Sequence, residues 1–185
     1  MAITSEQTGC WSSVGLMNRG RQELNLQPGN PGCLNVGKGT AEHEMLHALG
    51  TFHEQSRPDR LEATFNLLNY FEHKIHFEFR DDYVRINEEN IVSGKEHNFD
   101  KKNPPEVLLY GDYEIGSVMH YSRCAFTSNN METITAIVGP ICKPSSRTKV
   151  LNISIHIFQD GSEMGQRNGM TDLDVSKLMN YYECT

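Results

Sequence analysis

The stretch His43-Glu44-Met45-Leu46-His47-Ala48-Leu49-Gly50-Thr51-Phe52-His53 decides how this chain is read. Met45, Leu46 and Leu49 recur at helical spacing before Gly50, and Gly39-Thr40 opens the segment, so a helix of about ten residues is expected. Thr40 is its candidate N-cap, and Glu42 in the first turn complements the helix dipole. Residues four apart on an α-helix stand about 40° apart and about 6 Å along the axis, so His43 and His47 face one ion. Glu44, about 100° away from His43, lies beside that ion without having to ligate it. A carboxylate so placed can take a proton from a water at the ion. Gly50 tolerates positive φ, which lets the helix stop and the chain turn back to aim His53 at the same point. Three neutral nitrogens around an open fourth position are what catalytic Zn2+ requires.

Outward from this stretch the pattern is sparser. Ile3 to Ser5 is β-like, and Gln22-Glu23-Leu24-Asn25-Leu26-Gln27 alternates polar and apolar residues as a half-buried strand would. Those are the two strand candidates before Gly39. Pro28-Gly29-Asn30-Pro31-Gly32 is a dense turn signal. Near the other end, Thr171 and Asp174 form the pattern of a capping box ahead of Leu173, Leu178, Met179 and Tyr182, which predicts a C-terminal helix.

The 185 residues, 37% of them hydrophobic, suffice for one domain spanning 1–185. No run of 18 apolar residues exists that could cross a bilayer, so a soluble chain with no membrane partner is expected. Seventeen Lys+Arg against 24 Asp+Glu give a net charge of -7, the wrong sign for a chain that holds phosphate backbones, and nucleic acid is set aside as a partner. Cys10, Cys33, Cys124, Cys142 and Cys184 show no C-x-x-C spacing and suggest an oxidising compartment. The opening Met-Ala-Ile-Thr-Ser-Glu-Gln has neither the basic nor the apolar region of a signal peptide. An odd cysteine count leaves at least one thiol unpaired within the chain.

The residues after the third histidine, His53-Glu54-Gln55-Ser56-Arg57-Pro58-Asp59-Arg60, resemble the astacin family of zinc endopeptidases, within the metzincins. So do Ser117-Val118-Met119-His120-Tyr121-Ser122, which resembles the family's Met-turn, and Gly9-Cys10-Trp11-Ser12-Ser13-Val14-Gly15. The resemblance extends to Gly165-Gln166-Arg167-Asn168-Gly169 and on through Asp172-Leu173-Asp174 to Cys184. It implies an α+β fold, with the zinc-binding helix between a partial N-terminal sheet lobe and a mostly irregular C-terminal lobe ending in a helix. It also implies a secreted, monomeric peptidase that hydrolyses peptide bonds in protein or peptide substrates. His43, His47 and His53 would hold Zn2+, Glu44 would be the catalytic base, and Met119 would form an apolar floor under the metal. Tyr121 would be both an additional metal ligand and a catalytic group, swinging away when substrate arrives and then helping to stabilise the oxyanion. Spacing alone reads Tyr121 as an ordinary half-buried tyrosine. The resemblance further implies a Cys10–Cys33 disulfide, with no counterpart in this chain for the partner of Cys184.

The chain also departs from the family. The zinc helix begins near residue 40, which reads as an N-terminal truncation, and 61–80 and 138–159 read as insertions. Leu61, Phe65, Leu68, Phe71 and Ile75 have helical spacing, and Ile153, Ile155 and Ile157 alternate, so each segment is either a lid or translated intron sequence. His73 and His76 form a possible second metal pair without a third ligand, and Asn152-Ile153-Ser154 is a glycosylation sequon. Glu54 matches a residue that in the family meets a buried amino terminus, and without one it is expected to be unpaired. Glu42 stands where the family has an apolar residue and is expected to be exposed. The alternative to a peptidase is a catalytically inactive zinc-binding or interaction fragment, or a gene-model artefact.

Overall fold

A computed structural model describes residues 1–35, 37–60, 83–103, 107, 109–137 and 163–184. The two segments read as insertions, with their helix and strand patterns, His73, His76 and the Asn152 sequon, lie outside the described residues, as does Cys142. Three strands form the N-terminal sheet: β1 (Ala2–Thr4), β2 (Cys10–Ser12) and β3 (Glu23–Leu26). The central strand β3 runs parallel to β1, with Ile3 opposite Leu24, and antiparallel to β2, with Trp11 opposite Asn25. Strand β2 is a third strand where two were expected. Its three residues are too few for a period-two pattern to register.

The alternation in β3 predicts that Asn25 faces solvent, and it is fully buried instead. The chain between β1 and β2 folds over that face. Asn25 Nδ2 donates to the carbonyls of Gln7 and Gly9 at 2.8 and 2.7 Å, and its Oδ1 accepts from Gln7 N and Thr4 Oγ1, each at 3.2 Å. The amide's donors and acceptors are thus used, which is the condition for burying it at low cost. The disulfide Cys10–Cys33, with Cα atoms 5.7 Å apart, ties β2 to the segment that leads into the first helix.

That helix, α1, spans Gly39–Ala48 and has the expected ten residues. Its start differs from expectation. The N-cap is Lys38, in helical geometry and without a side-chain cap, and Thr40 lies inside the helix. The first turn is secured from elsewhere, because Gly39 N donates to the Arg167 carbonyl at 3.1 Å. A Cβ at position 39 would overlap the Arg167 backbone, so only glycine permits this crossing. Glu42 is half-buried rather than exposed: it pairs with Lys38 at 2.8 Å and accepts from Met170 N at 2.7 Å. The helix ends as expected at Gly50, where φ is 97°. Thr51 N donates to Leu46 O and Gly50 N to His47 O, both at 2.9 Å, the paired bonds of a Schellman motif.

The C-terminal lobe is mostly irregular. A two-stranded ribbon pairs β4 (Val84–Ile86) antiparallel with β5 (Ile134–Ala136). Val84 and Ile134 join Ile91, Phe99, Tyr113, Ile115 and Met164 in the larger core cluster. A smaller cluster of Leu46, Val118, Met119 and Leu178 joins α1, the Met-turn and the last helix, α2 (Asp172–Tyr181). Helix α2 carries the predicted capping box: Asp174 N donates to Thr171 Oγ1 at 3.0 Å and Thr171 N to Asp174 Oδ2 at 3.1 Å. The same carboxylate accepts from Ser117 Oγ at 2.6 Å and Val118 N at 3.0 Å, so the cap of α2 also holds the Met-turn. Among the described residues no helix is long and apolar enough to cross a membrane, and the free cysteines, Cys124 and Cys184, are exposed.

Candidate metal centre

Helix α1 presents His43 and His47 one turn apart, and the turn at Gly50 returns His53 to them. One ligand atom from each histidine lies within 4.8 Å of the other two, and no other such group occurs among the described residues. The orientation of two rings follows from their neighbours. His43 Nδ1 stands 2.8 Å from the Val118 carbonyl and His47 Nδ1 2.8 Å from that of Thr51. A carbonyl only accepts, so each Nδ1 carries the hydrogen and each Nε2 keeps a free lone pair. His47 Nε2 and His53 Nε2 are 3.2 Å apart. Two nitrogens bound to one tetrahedral zinc at its usual bond length stand about 3.3 Å apart.

Burial removes the competing protons. It pushes His43 down to about 3, helped by the charge of His47, and it lowers His47 and His53 as well. The three imidazoles are neutral at pH 7, as metal ligands must be. With backbone carbonyls fixing two of them from behind, the donor set fits zinc.

Glu44 is buried beside this cluster without belonging to it. Burial raises its carboxyl to about 7, with the positive charge of Arg167 pulling the other way. Tyr121 lies beside the cluster, with its ring centroid 4.4 Å from that of His53. Burial raises its phenol above the ordinary value, again opposed by Arg167. Met119 is 1% exposed and packs against Leu46 and Val118, while its carbonyl accepts from Glu54 N at 3.1 Å.

Glu54 is the clear departure. It is not unpaired: its Oε1 accepts from Lys177 Nζ at 2.7 Å, Glu114 N at 2.9 Å and Arg57 Nη1 at 3.3 Å. Of its two cations Arg57 stands only three residues on, but Lys177, the closer one, comes from α2, more than a hundred residues away, and nothing near Glu54 in the sequence announces it. Arg167 also escaped a sequence-based role. Its Nη1 donates to the Val118 carbonyl at 3.1 Å, the same oxygen that His43 uses, and its charge acts on Glu44 and Tyr121. The buried pair Tyr113 and His120 completes the surroundings, with burial holding His120 down to about 4.

A mixed sheet and helix scaffold that brings three histidines together has the fold of a metzincin zinc protease. Comparison with known proteins narrows this. The family model described as Astacin, a peptidase family, matches residues 1–65 and 68–183, and the chain belongs to the astacin family. It is 37% identical over 179 residues to meprin A subunit beta of Rattus norvegicus, covering 96% of this chain and 19% of that protein. It is 34% identical over 179 residues to high choriolytic enzyme 1 of Oryzias latipes, covering 96% of this chain and 49% of that protein. The solved structure of that hatching enzyme zinc-protease superposes with a TM-score of 0.62 at 30% identity, over 99% of this chain and 69% of the other. The chain thus spans about a fifth of the length of its meprin relative.

Proposed function

We propose that this chain is a zinc-dependent endopeptidase that hydrolyses peptide bonds in protein or peptide substrates, with His43, His47 and His53 as metal ligands and Glu44 as proton carrier. The observation that carries the reading is the convergence of three neutral imidazoles, two of them with Nδ1 committed to carbonyls, beside a buried carboxylate that is not a ligand. Zinc held there supplies Lewis acidity, which acidifies a water and polarises a carbonyl.

The chain's own residues do the rest. Glu44 removes the proton of the attacking water, then delivers it to the leaving amine, a shuttle suited to a buried carboxylate that is not itself a ligand. Tyr121, beside His53, donates its phenolic hydrogen to the oxygen on which charge develops. Met119 closes the floor with apolar surface, which keeps the ligands dry and their rotamers fixed. Arg167 adds a fixed positive charge on the side of Glu44 and Tyr121. The Cys10–Cys33 disulfide supports work in an oxidising, extracellular compartment.

The test is cleavage of a quenched fluorescent peptide library by the 185-residue chain, before and after a chelator and with zinc restored. Internal cleavage that the chelator abolishes and zinc restores is expected. Metal binding without any cleavage would favour the non-catalytic reading.

A further inference from the structure

The backbone of Tyr121 is gripped on both sides. Its amide donates to Gln55 Oε1 at 3.2 Å, and its carbonyl accepts from His120 Nδ1 at 2.8 Å. Because a carbonyl has no hydrogen to give, His120 carries its proton on Nδ1, and Nε2 is left as an acceptor. Tyr113 Oη stands 2.7 Å from that nitrogen and donates to it. His120 is 0% exposed and Tyr113 6%, so water does not compete for the bond between them.

Tyr113 is itself immobilised. Its ring stacks on Tyr83 with centroids 4.5 Å apart and planes 13° from parallel. The residues on either side are pinned by the loop after His53: Arg57 Nη1 donates to the Asp112 carbonyl at 3.2 Å, and Glu114 N donates to Glu54 Oε1 at 2.9 Å. A continuous polar path therefore runs from the loop of the third histidine, through Tyr113 and His120, to the Tyr121 carbonyl.

We propose that Tyr113 and His120 are positioning residues for Tyr121, a buried donor pair that fixes its peptide unit so that only the side-chain torsions move the phenol. The proposal rests on the reading of Tyr121 as the group that assists at the scissile carbonyl. A small rotation of the peptide unit is magnified at the far end of a tyrosine side chain, and misplacement by about 1 Å can cost a hundredfold in rate. Two hydrogen bonds made by a buried, neutral imidazole resist that rotation without placing a charge in the core.

His120→Ala would empty a buried site and confuse positioning with packing, so the decisive variant is Tyr113→Phe. It removes one oxygen and keeps the stack on Tyr83. We expect kcat to fall about tenfold with KM and zinc content unchanged. In a Tyr121→Phe background the same substitution should change kcat by less than about twofold, because the group it serves is gone. An equal loss in both backgrounds, or lower thermal stability with kcat intact, would overturn the proposal. A second readout needs no cleavage: in protein carrying 13C-labelled tyrosine, the ring signal of Tyr121 should shift on Tyr113→Phe, and an unmoved signal would equally overturn it. If the unmutated chain cuts no peptide, the peptidase reading fails alone, and the tyrosine signal still decides whether the pair positions Tyr121.

Discussion

At the scale of single residues, Glu44→Gln separates ligand from proton carrier. The amide has nearly the same shape but cannot take a proton, so zinc should remain at one per chain while cleavage falls by about 10²–10⁴-fold. Loss of zinc with that change, read by metal analysis after gel filtration, would make Glu44 a ligand. His53→Ala should weaken zinc binding by more than about 100-fold, whereas His97→Ala, on an exposed turn, should not. His43, His47 and Glu44 could be read from sequence because helix geometry fixes residues three and four apart, and His53 because Gly50 lets the chain turn back. Tyr121 could not be found that way. It reaches His53 through tertiary folding, and only the likeness of its surroundings to a family pointed to it. Arg167 and His120 lie in stretches that carry the resemblance, but their roles could not be read there, because Val118 and Tyr113, which they engage, are brought to them by the fold.

At the scale of elements, the two helices were legible because their ends carry chemistry: Gly50 stops α1, and Thr171 with Asp174 starts α2. The misread start of α1 has the same origin as the close crossing at Gly39, where a backbone carbonyl of Arg167, far along the chain, takes the first free amide of the helix. Strands β2, β4 and β5 have three residues each, below the length at which alternation can be told from chance. Asp174 is the element-scale test. Removing its carboxylate strands Ser117 Oγ and the amides of Val118 and Thr171. We expect Asp174→Ala to cost about 2–4 kcal/mol and to lower the thermal midpoint by about 5–10 °C. Zinc affinity should fall with it, because Val118, whose carbonyl orients His43, is loosened. Calorimetry with and without zinc checks both, and full retention of affinity would show that the cap serves α2 alone.

Across the whole molecule, the disulfide closes the N-terminal lobe just ahead of the zinc helix. Cys10 and Cys33 are 23 residues apart, and closing such a loop stabilises by about 3 kcal/mol in the chain-entropy model. Non-reducing peptide mapping should recover that pair with Cys184 unpaired, and a dominant Cys33–Cys184 link would contradict the structure. Reduction should lower the thermal midpoint without changing zinc stoichiometry. The grip of Asp174 on the Met-turn also sets an order in time. During vectorial synthesis on the ribosome α1 emerges early, but the carboxylate that fixes the floor beneath it follows roughly 120 residues later, on the order of ten seconds at usual elongation rates. Until then α1 rests only against the N-terminal sheet, and nascent chains stalled before residue 171 should fail to retain zinc that the released 185-residue chain holds. On that timing, zinc retention is expected to wait for the segment that carries Asp174.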